Sequence, residues 1–177
     1  MKKALFILGA FNDDDLNWII YKAKKKVLLP DQTLIYEGRQ IDALYIILSG
    51  NLKVVIESAG NKELATISKG EVVGEISFID TRPPLATVKA IEEAVVLGIP
   101  RLELTLKLQQ NTGFASRFYQ GISLCLAERM RGTVQRLGYG VDLADLEKDP
   151  DELSPTLLNN LAIAQAKFNL LIQKVND

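Results

Sequence analysis

Seven short segments between residues 26 and 99 are rich in β-branched and other apolar residues, and each is bounded by turn-forming residues. Breaks such as Gly38, Gly50 and Gly70 limit each segment to a few residues, which is the length of a strand rather than a helix. A series of short strands without intervening helices is typical of a sandwich or a rolled antiparallel barrel. The predicted strands cover residues 26–29, 32–36, 43–49, 52–57, 62–67, 86–90 and 94–99.

Helical patterns flank this β-rich region. The first eleven residues predict an amphipathic helix, because an acidic cluster at 13–15 follows the short apolar run and argues against a secretory signal. Asn12 or Asp13 can cap a second helix that runs to about Lys25. After residue 100 a helical pattern precedes a break near 110–113, and a longer helix is predicted over 114–137. Its apolar residues are Phe114, Phe118, Ile122, Leu126, Met130, Val134 and Leu137.

The remaining residues predict a connector and one last helix. Six acidic residues between 141 and 153 indicate a solvated linker. Ser154 and Pro155 then form a helix start, with the hydroxyl as cap and proline at the first position. Leu161, Phe168 and Val175 belong to a near-heptad apolar stripe on this helix.

Composition excludes several function classes. The chain has no histidine, so the commonest general base and the commonest transition-metal ligand are both missing. The single cysteine, Cys125, is predicted to be a buried apolar side chain in a reducing compartment. With 21 basic and 22 acidic residues, the chain has no overall attraction for nucleic acid or anionic membrane. These features predict a cytoplasmic protein that is not an enzyme.

Residues 74–88 read GEISFIDTRPPLATV and resemble the phosphate-binding cassette of cyclic-nucleotide-binding domains, including the ligand half of the catabolite activator family. Gly38, the segment 42–52, Gly70-Glu71 and the closing segment 86–90 agree with this resemblance, which extends from about Phe11 to Leu137. It implies a mainly β fold with flanking helices: an eight-stranded antiparallel β-roll, or jelly roll, followed by a long helix and a C-terminal helix. The implied division is a domain over 1–138, a connector over 139–153 and a helix over 154–177.

The cassette also predicts the ligand site. A turn at Gly74 leading into a helical turn over Glu75, Ile76 and Ser77 would direct backbone N–H groups at one point and favour an anion. By resemblance, Glu75 accepts a hydrogen bond from a ribose 2′-hydroxyl; capping the short helix is an equally weighted alternative. The implied ligand is cyclic AMP, cyclic GMP or another small anion. The candidate residues are Gly74, Glu75, Ile76, Ser77, Arg82, Pro84, Leu85, Ala86 and Thr87.

The chain departs from the family pattern where the phosphate would bind. The resemblance implies an arginine at position 84 and a small residue at 85, but the sequence has Pro84 and Leu85. Arg82 lies two residues earlier, about 6.6 Å along an extended strand, and is a possible replacement cation. Pairing of Arg82 with Asp80, or exposure to solvent, is the favoured alternative.

The resemblance further implies a homodimer formed by the long helix, through Phe118, Ile122, Leu126, Met130 and Val134. The tail is too short and too poorly basic for a DNA-reading helix-turn-helix. The predicted function is therefore a non-enzymatic small-ligand sensor. One alternative is a degenerate domain that serves as an interaction scaffold. Another is a metal-dependent enzyme on the similarly shaped cupin barrel. Such sites normally use histidines, which this chain lacks, and the carboxylates Glu37, Asp42, Glu63 and Glu75 show no ligand-like spacing.

Overall fold

Two antiparallel sheets form the centre of the protein. The computed structural model describes residues 4–136 and 155–176. Within these residues eight strands form sheets with the orders β1-β8-β3-β6 and β2-β7-β4-β5. This is the predicted β-roll with flanking helices. The strands are β1 (Lys24–Leu28), β2 (Thr33–Ile35), β3 (Ala43–Ser49), β4 (Leu52–Ile56), β5 (Lys62–Ile67), β6 (Val72–Val73), β7 (Thr87–Ala90) and β8 (Ala94–Pro100).

All seven predicted strands form, five of them with ends shifted by one or two residues. Two further features differ from the prediction. The pair Val72–Val73 forms an eighth strand opposite Ile46 and Tyr45, which was missed because two residues show no alternation. The second helix ends at Lys22 instead of about Lys25. Ala23 has extended backbone angles and its N–H donates to the Ile19 carbonyl at 2.8 Å, which closes the helix so that the following lysines can pair with β8.

Strand β3 is buried on both faces, which explains its continuous apolar sequence. Leu44 and Ile46 belong to a core shared with the helices. Tyr45 and Ile47, on the alternate face, belong to a second core between the two sheets. A strand covered on both faces can have apolar residues at successive positions. The helices pack against one face of β3 and the second sheet packs against the other.

The helices begin where local side chains satisfy their first N–H groups. Asn12 accepts from the N–H of Asp15 at 2.9 Å, and the Asp15 carboxylate accepts from the N–H of Asn12 at 3.0 Å, which is a capping box. Asn111 accepts from the N–H of Phe114 at 2.8 Å and separates the two helices around it. The helices are α1 (Ala4–Ala10), α2 (Asp13–Lys22), α3 (Glu75–Asp80), α4 (Arg101–Gln110), α5 (Thr112–Arg136) and α6 (Pro155–Asn176).

The apolar stripe predicted on α5 does not lie on one face. Phe118 and Ile122 are buried in the protein's own core, whereas Met130 is 68% exposed and Val134 is also exposed. Successive steps of four residues drift by about 40° around a helix, so four steps from Phe118 to Val134 amount to about 160°. Phe118 and Ile122 are already covered within the chain's own fold, and the predicted homodimer through this helix stays a prediction.

Helix α6 packs against its own chain. Ala164, Phe168 and Leu171 are buried with residues of α1 and α2 in one core. The ring of Phe168 also lies 5.9 Å from the Lys69 Nζ. The predicted acidic connector at 139–153 lies outside the described residues, so the domain division stays a prediction. No helix within 4–136 or 155–176 is long and apolar enough to cross a bilayer, and the predicted cytoplasmic location stays a prediction.

Candidate functional site

A cavity of about 620 Å³ opens where the predicted cassette faces strands β4 and β5 and the helix α5. Its volume lies within the range of about 300–1,000 Å³ that is usual for small-molecule sites. Most of its lining is apolar. Eight of the nine candidate residues contribute to the lining, and Thr87 does not. The lining residues are Ile35, Val54, Leu64, Ala65, Ile67, Val73, Gly74, Glu75, Ile76, Ser77, Asp80, Arg82, Pro83, Pro84, Leu85, Ala86, Val88, Arg129 and Thr133.

Gly74 starts the short helix α3 at the cavity wall. Its φ of 90° is in the left-handed region, which glycine adopts without strain. A Cβ there would lie 3.1 Å from a methyl carbon of Ile41 and 3.3 Å from the Ala43 carbonyl oxygen, so little space exists for a side chain. The first helical hydrogen bond joins the N–H of Phe78 to the Gly74 carbonyl at 3.0 Å. The helical turn therefore forms where the sequence predicted it and extends to Asp80.

The loop after α3 is fixed by bonds to the segment 37–40. Thr81 ends the helix with a φ of 59°, an uncommon conformation for a β-branched residue, and its carbonyl accepts from Gln40 at 3.3 Å. The Pro84 carbonyl accepts from the N–H of Gly38 at 2.9 Å. Thr87 is fully buried, and its hydroxyl oxygen accepts from the N–H of Glu37 at 3.0 Å. Thr87 thus holds the end of the loop rather than facing the cavity.

Leu85 and Arg82 do not fill or neutralise the cavity. Leu85 is 84% exposed, so the cavity is open although a bulky residue stands at this position. The Arg82 Nε lies 2.8 Å from the Asp80 Oδ2, and the Arg82 backbone N–H donates to the other oxygen of the same carboxylate at 3.1 Å. This local pair is the arrangement that the sequence favoured for Arg82 over a turn into the site.

The polar floor of the cavity is a carboxylate joined to α5. Glu75 is 1% exposed, and its Oε1 lies 2.5 Å from the Arg129 Nη1. The Nη2 of the same guanidinium donates to the Val72 carbonyl at 2.6 Å. One arginine of α5 is thereby bound to both the cassette and the strand before it. Burial of a charged pair is tolerated only with such hydrogen bonds.

Aromatic and cationic contacts join the cassette helix to the helices behind it. The rings of Phe78 and Phe118 meet edge to face at 5.6 Å. Arg101, the first residue of α4, lies over the Phe78 ring at 5.2 Å and donates to the Ser77 carbonyl at 3.0 Å. Movement of α3 would therefore change the contacts that it makes with α4 and α5.

The β-roll, the cassette and the cavity are features of one protein family. Residues 25–111 of the chain match the sequence profile of the cyclic nucleotide-binding domain family. A lysophospholipase nte1 of Neosartorya fischeri is 36% identical over 110 residues, which are 59% of this chain and 7% of that protein. A cGMP-dependent protein kinase of Eimeria tenella is 38% identical over 72 residues, 41% of this chain and 7% of the kinase. The chain thus matches only a small part of these curated relatives.

The solved structures agree on the fold. A cyclic nucleotide-binding domain from Methylobacillus flagellatus superposes with a TM-score of 0.68 at 21% sequence identity, covering 79% of this chain and 84% of that chain. At this identity the similarity supports the shared architecture of the roll and its helices. It does not by itself carry a ligand from one domain to the other.

In this cyclic nucleotide-binding domain, one site residue was not predicted from the sequence. Arg129 is not among the candidate residues of the sequence analysis, yet it contacts the buried Glu75. A signal was present: Arg129 follows Cys125 by four residues and Ile122 by seven, and both of those side chains are buried. Residues with this spacing share a helix face. A cation on a buried face requires a buried partner, so the spacing predicts an internal ion pair.

The carboxylates of the metal hypothesis are not brought together. Glu37 accepts hydrogen bonds from the N–H groups of Glu57 and Ser58 at the surface, whereas Glu75 is buried beneath α5. Asp42 accepts from the Tyr45 hydroxyl at 2.7 Å. Within the described residues, no group of three acidic or cysteine side chains is placed to hold a metal ion.

Proposed function

We propose that this domain is a non-enzymatic sensor in which a small ligand occupies the cavity and helix α5 responds. The observation that carries the proposal is the Glu75–Arg129 pair at 2.5 Å, because it joins the wall of an open cavity to a helix of 25 residues. A conformational response requires a ligand that interacts differently with two states of the protein. A ligand group that approaches Glu75 would compete with Arg129 and so supply that difference.

Cyclic nucleotides are the first ligands to consider, since the family is defined by them. We expect cyclic AMP and cyclic GMP to bind weakly. Pro84 has neither a cationic group nor a backbone N–H for a phosphate. Arg82 is committed to Asp80 and Arg129 to Glu75. Loss of one charged partner costs about 2–5 kcal/mol, which corresponds to a loss of about thirtyfold to several thousandfold in affinity.

The test of the proposed site compares an open cavity with a filled one. Ala65 lines the cavity on β5, and Ala65→Trp would occupy its volume; Ala59→Trp adds the same ring at an exposed position that is not among the lining residues. The chain purified from cells is examined by native mass spectrometry, then screened for thermal shifts with small ligands that include both cyclic nucleotides. We expect a bound or stabilising ligand in the wild type and in Ala59→Trp but not in Ala65→Trp.

Equal responses from all three proteins would contradict a ligand site in this cavity. The absence of any response would have the same meaning, provided that Ala65→Trp and the wild type unfold cooperatively.

The second candidate function is a dimerisation or docking scaffold. The observation in its favour is an exposed apolar strip on α5 that contains Met130 and Val134. A homodimer through this strip would leave Phe118 and Ile122 in the core. Sedimentation of the wild type and of Met130→Asp tests the homodimer. A dimer that becomes a monomer in the variant supports it, and a monomeric wild type at high protein concentration contradicts it.

A further inference from the structure

Every ionisable side chain in the cavity wall belongs to an ion pair. The lining contains two carboxylates and two guanidinium groups. Glu75 pairs with Arg129, and Asp80 pairs with Arg82. The wall thus has no net charge, and each guanidinium group already faces a carboxylate, which reduces its attraction for an anionic ligand. Separation of the Glu75 pair would leave a buried carboxylate, which is strongly unfavourable.

The cavity wall also gathers exposed apolar side chains from three elements. Leu64 on β5 and Ile76 on α3 are each about half exposed, and Leu85 on the loop is almost fully exposed. Single exposed apolar residues are ordinary on protein surfaces. Three of them around one open cavity form a surface that gains free energy when an apolar molecule covers it. Pro83 and Pro84 add further apolar surface to the same loop.

Two hydroxyl groups can orient a ligand in this wall. Ser77 is buried at the cavity. The Thr133 hydroxyl donates to the Arg129 carbonyl at 2.9 Å, and its oxygen can still accept a hydrogen bond from a ligand. A few polar groups within an apolar wall are the usual composition of a site for an uncharged small molecule.

From these observations we propose that the ligand is an uncharged molecule with a mainly apolar body and a hydroxyl or N–H group, rather than a cyclic nucleotide. This inference rests on the proposed function, since it assigns a ligand class to the same cavity. Pro84 and Leu85 then have a positive role: they convert a phosphate-binding loop into an apolar wall.

Two fluorescent probes of the same shape test the ligand class. N-phenyl-1-naphthylamine is uncharged, and 8-anilino-1-naphthalenesulfonate is the same molecule with one sulfonate. Each is titrated into the full chain, and the ratio of the two dissociation constants is measured for the wild type and for Pro84→Arg. The intrinsic difference in hydrophobicity between the probes cancels when the ratios are compared. We expect the wild type to bind the neutral probe at one site, and Pro84→Arg to shift the ratio toward the sulfonate by about tenfold or more.

Two serine substitutions locate the probe. Leu85→Ser should weaken binding of the neutral probe by about tenfold, because one covered leucine side chain is lost. Leu102→Ser is the matched control: Leu102 is exposed on α4 and is not among the lining residues, so the change should stay within about twofold. Leu64→Ser provides a second position in the wall and should behave like Leu85→Ser.

The outcomes separate the two proposals. Tighter binding of the sulfonate by the wild type, or the same probe ratio in the wild type and Pro84→Arg, overturns the uncharged ligand class and leaves the cavity as a ligand site. If neither probe binds, or if Leu85→Ser and Leu102→Ser affect the neutral probe equally, both the ligand class and the proposed site are overturned.

Discussion

Removal of the cation beside Glu75 should destabilise the protein more than removal of an exposed charge on the same helix. Arg129→Met keeps an apolar stem of similar length but leaves the carboxylate of Glu75, 1% exposed, without the guanidinium 2.5 Å away. Breaking a buried pair from one side costs about 3–5 kcal/mol. The Arg129 side chain is itself 28% exposed, so we expect the lower end, about 3 kcal/mol. For a domain of this size that is a fall of about 6–12 °C in Tm.

Urea unfolding followed by circular dichroism measures this loss. The matched control is Arg131→Met, because Arg131 is on the same helix, has a side chain that is 77% exposed, and lies 3.9 Å from its partner Glu128. An exposed pair of this kind contributes about 0–1 kcal/mol. If the unfolding free energy falls with urea concentration at the same slope in all three proteins, differences between their midpoints report differences in stability alone.

The same variant has a distinctive pH dependence. A buried carboxylate that has lost its cation is more stable when protonated, so the folded variant favours a protonated Glu75, whereas the unfolded chain is already ionised at pH 7. Stability of Arg129→Met relative to wild type should therefore improve as the pH falls from 7 to 5. A loss of stability equal to that of Arg131→Met, or a deficit that is the same at both pH values, would refute a stabilising pair between Arg129 and Glu75.

Two further predictions concern the scaffold. Burial raises the pKa of Asp15, but the hydrogen bonds and charge of Arg117 outweigh this effect, so the net pKa lies below the usual 3.8. Asp15→Asn should therefore lose about 1.5–3 kcal/mol of unfolding free energy at pH 7. Urea titrations should show a smaller loss once the pH falls below 3.8. An equal loss at pH 7 and at about pH 3 would contradict that pair's role. Gly50→Ala should destabilise more than Gly60→Ala by about 1–3 kcal/mol, because both glycines have positive φ but only a Cβ at Gly50 would meet the Glu93 carbonyl oxygen, at 2.5 Å. Similar midpoints for the two alanine variants would exclude that clash.

The sequence allowed the roll to be predicted because each strand carries its own turn signals. The segments at 43–49 and 62–67 form strands with the predicted bounds, and the capping residue Asn12 begins α2 as expected. Strand β6 has two residues and depends on pairing with β3, so no local pattern predicts it. The predicted end of α2 was wrong for a similar reason. The lysines at 24–26 are compatible with a helix, but their pairing with β8 places them in a strand.

The site was predicted less completely than the fold because it depends on contacts between distant segments. The cassette motif located Gly74 and Glu75, which are close in sequence. Arg129 lies 54 residues beyond Glu75, and only its position on the buried face of α5 connects it to the cavity. The exposure of Leu85 depends on the direction of the loop that the Gly38 hydrogen bond holds in place. That direction cannot be predicted from the spacing of residues in the sequence.

We propose that Pro84 removes phosphate recognition from an otherwise open ligand cavity, and calorimetric titration of cyclic AMP tests this proposal most directly. Pro84→Arg keeps the carbonyl that accepts from Gly38, so the loop can hold its course while it gains a cation. Charge-assisted hydrogen bonds contribute about 1.5–3 kcal/mol, so the variant should bind about tenfold to 150-fold more tightly than the wild type. Leu102→Arg, which adds the same charge on α4, should change nothing. Tight binding by the wild type, or equal affinity in the wild type and Pro84→Arg, would contradict the proposal.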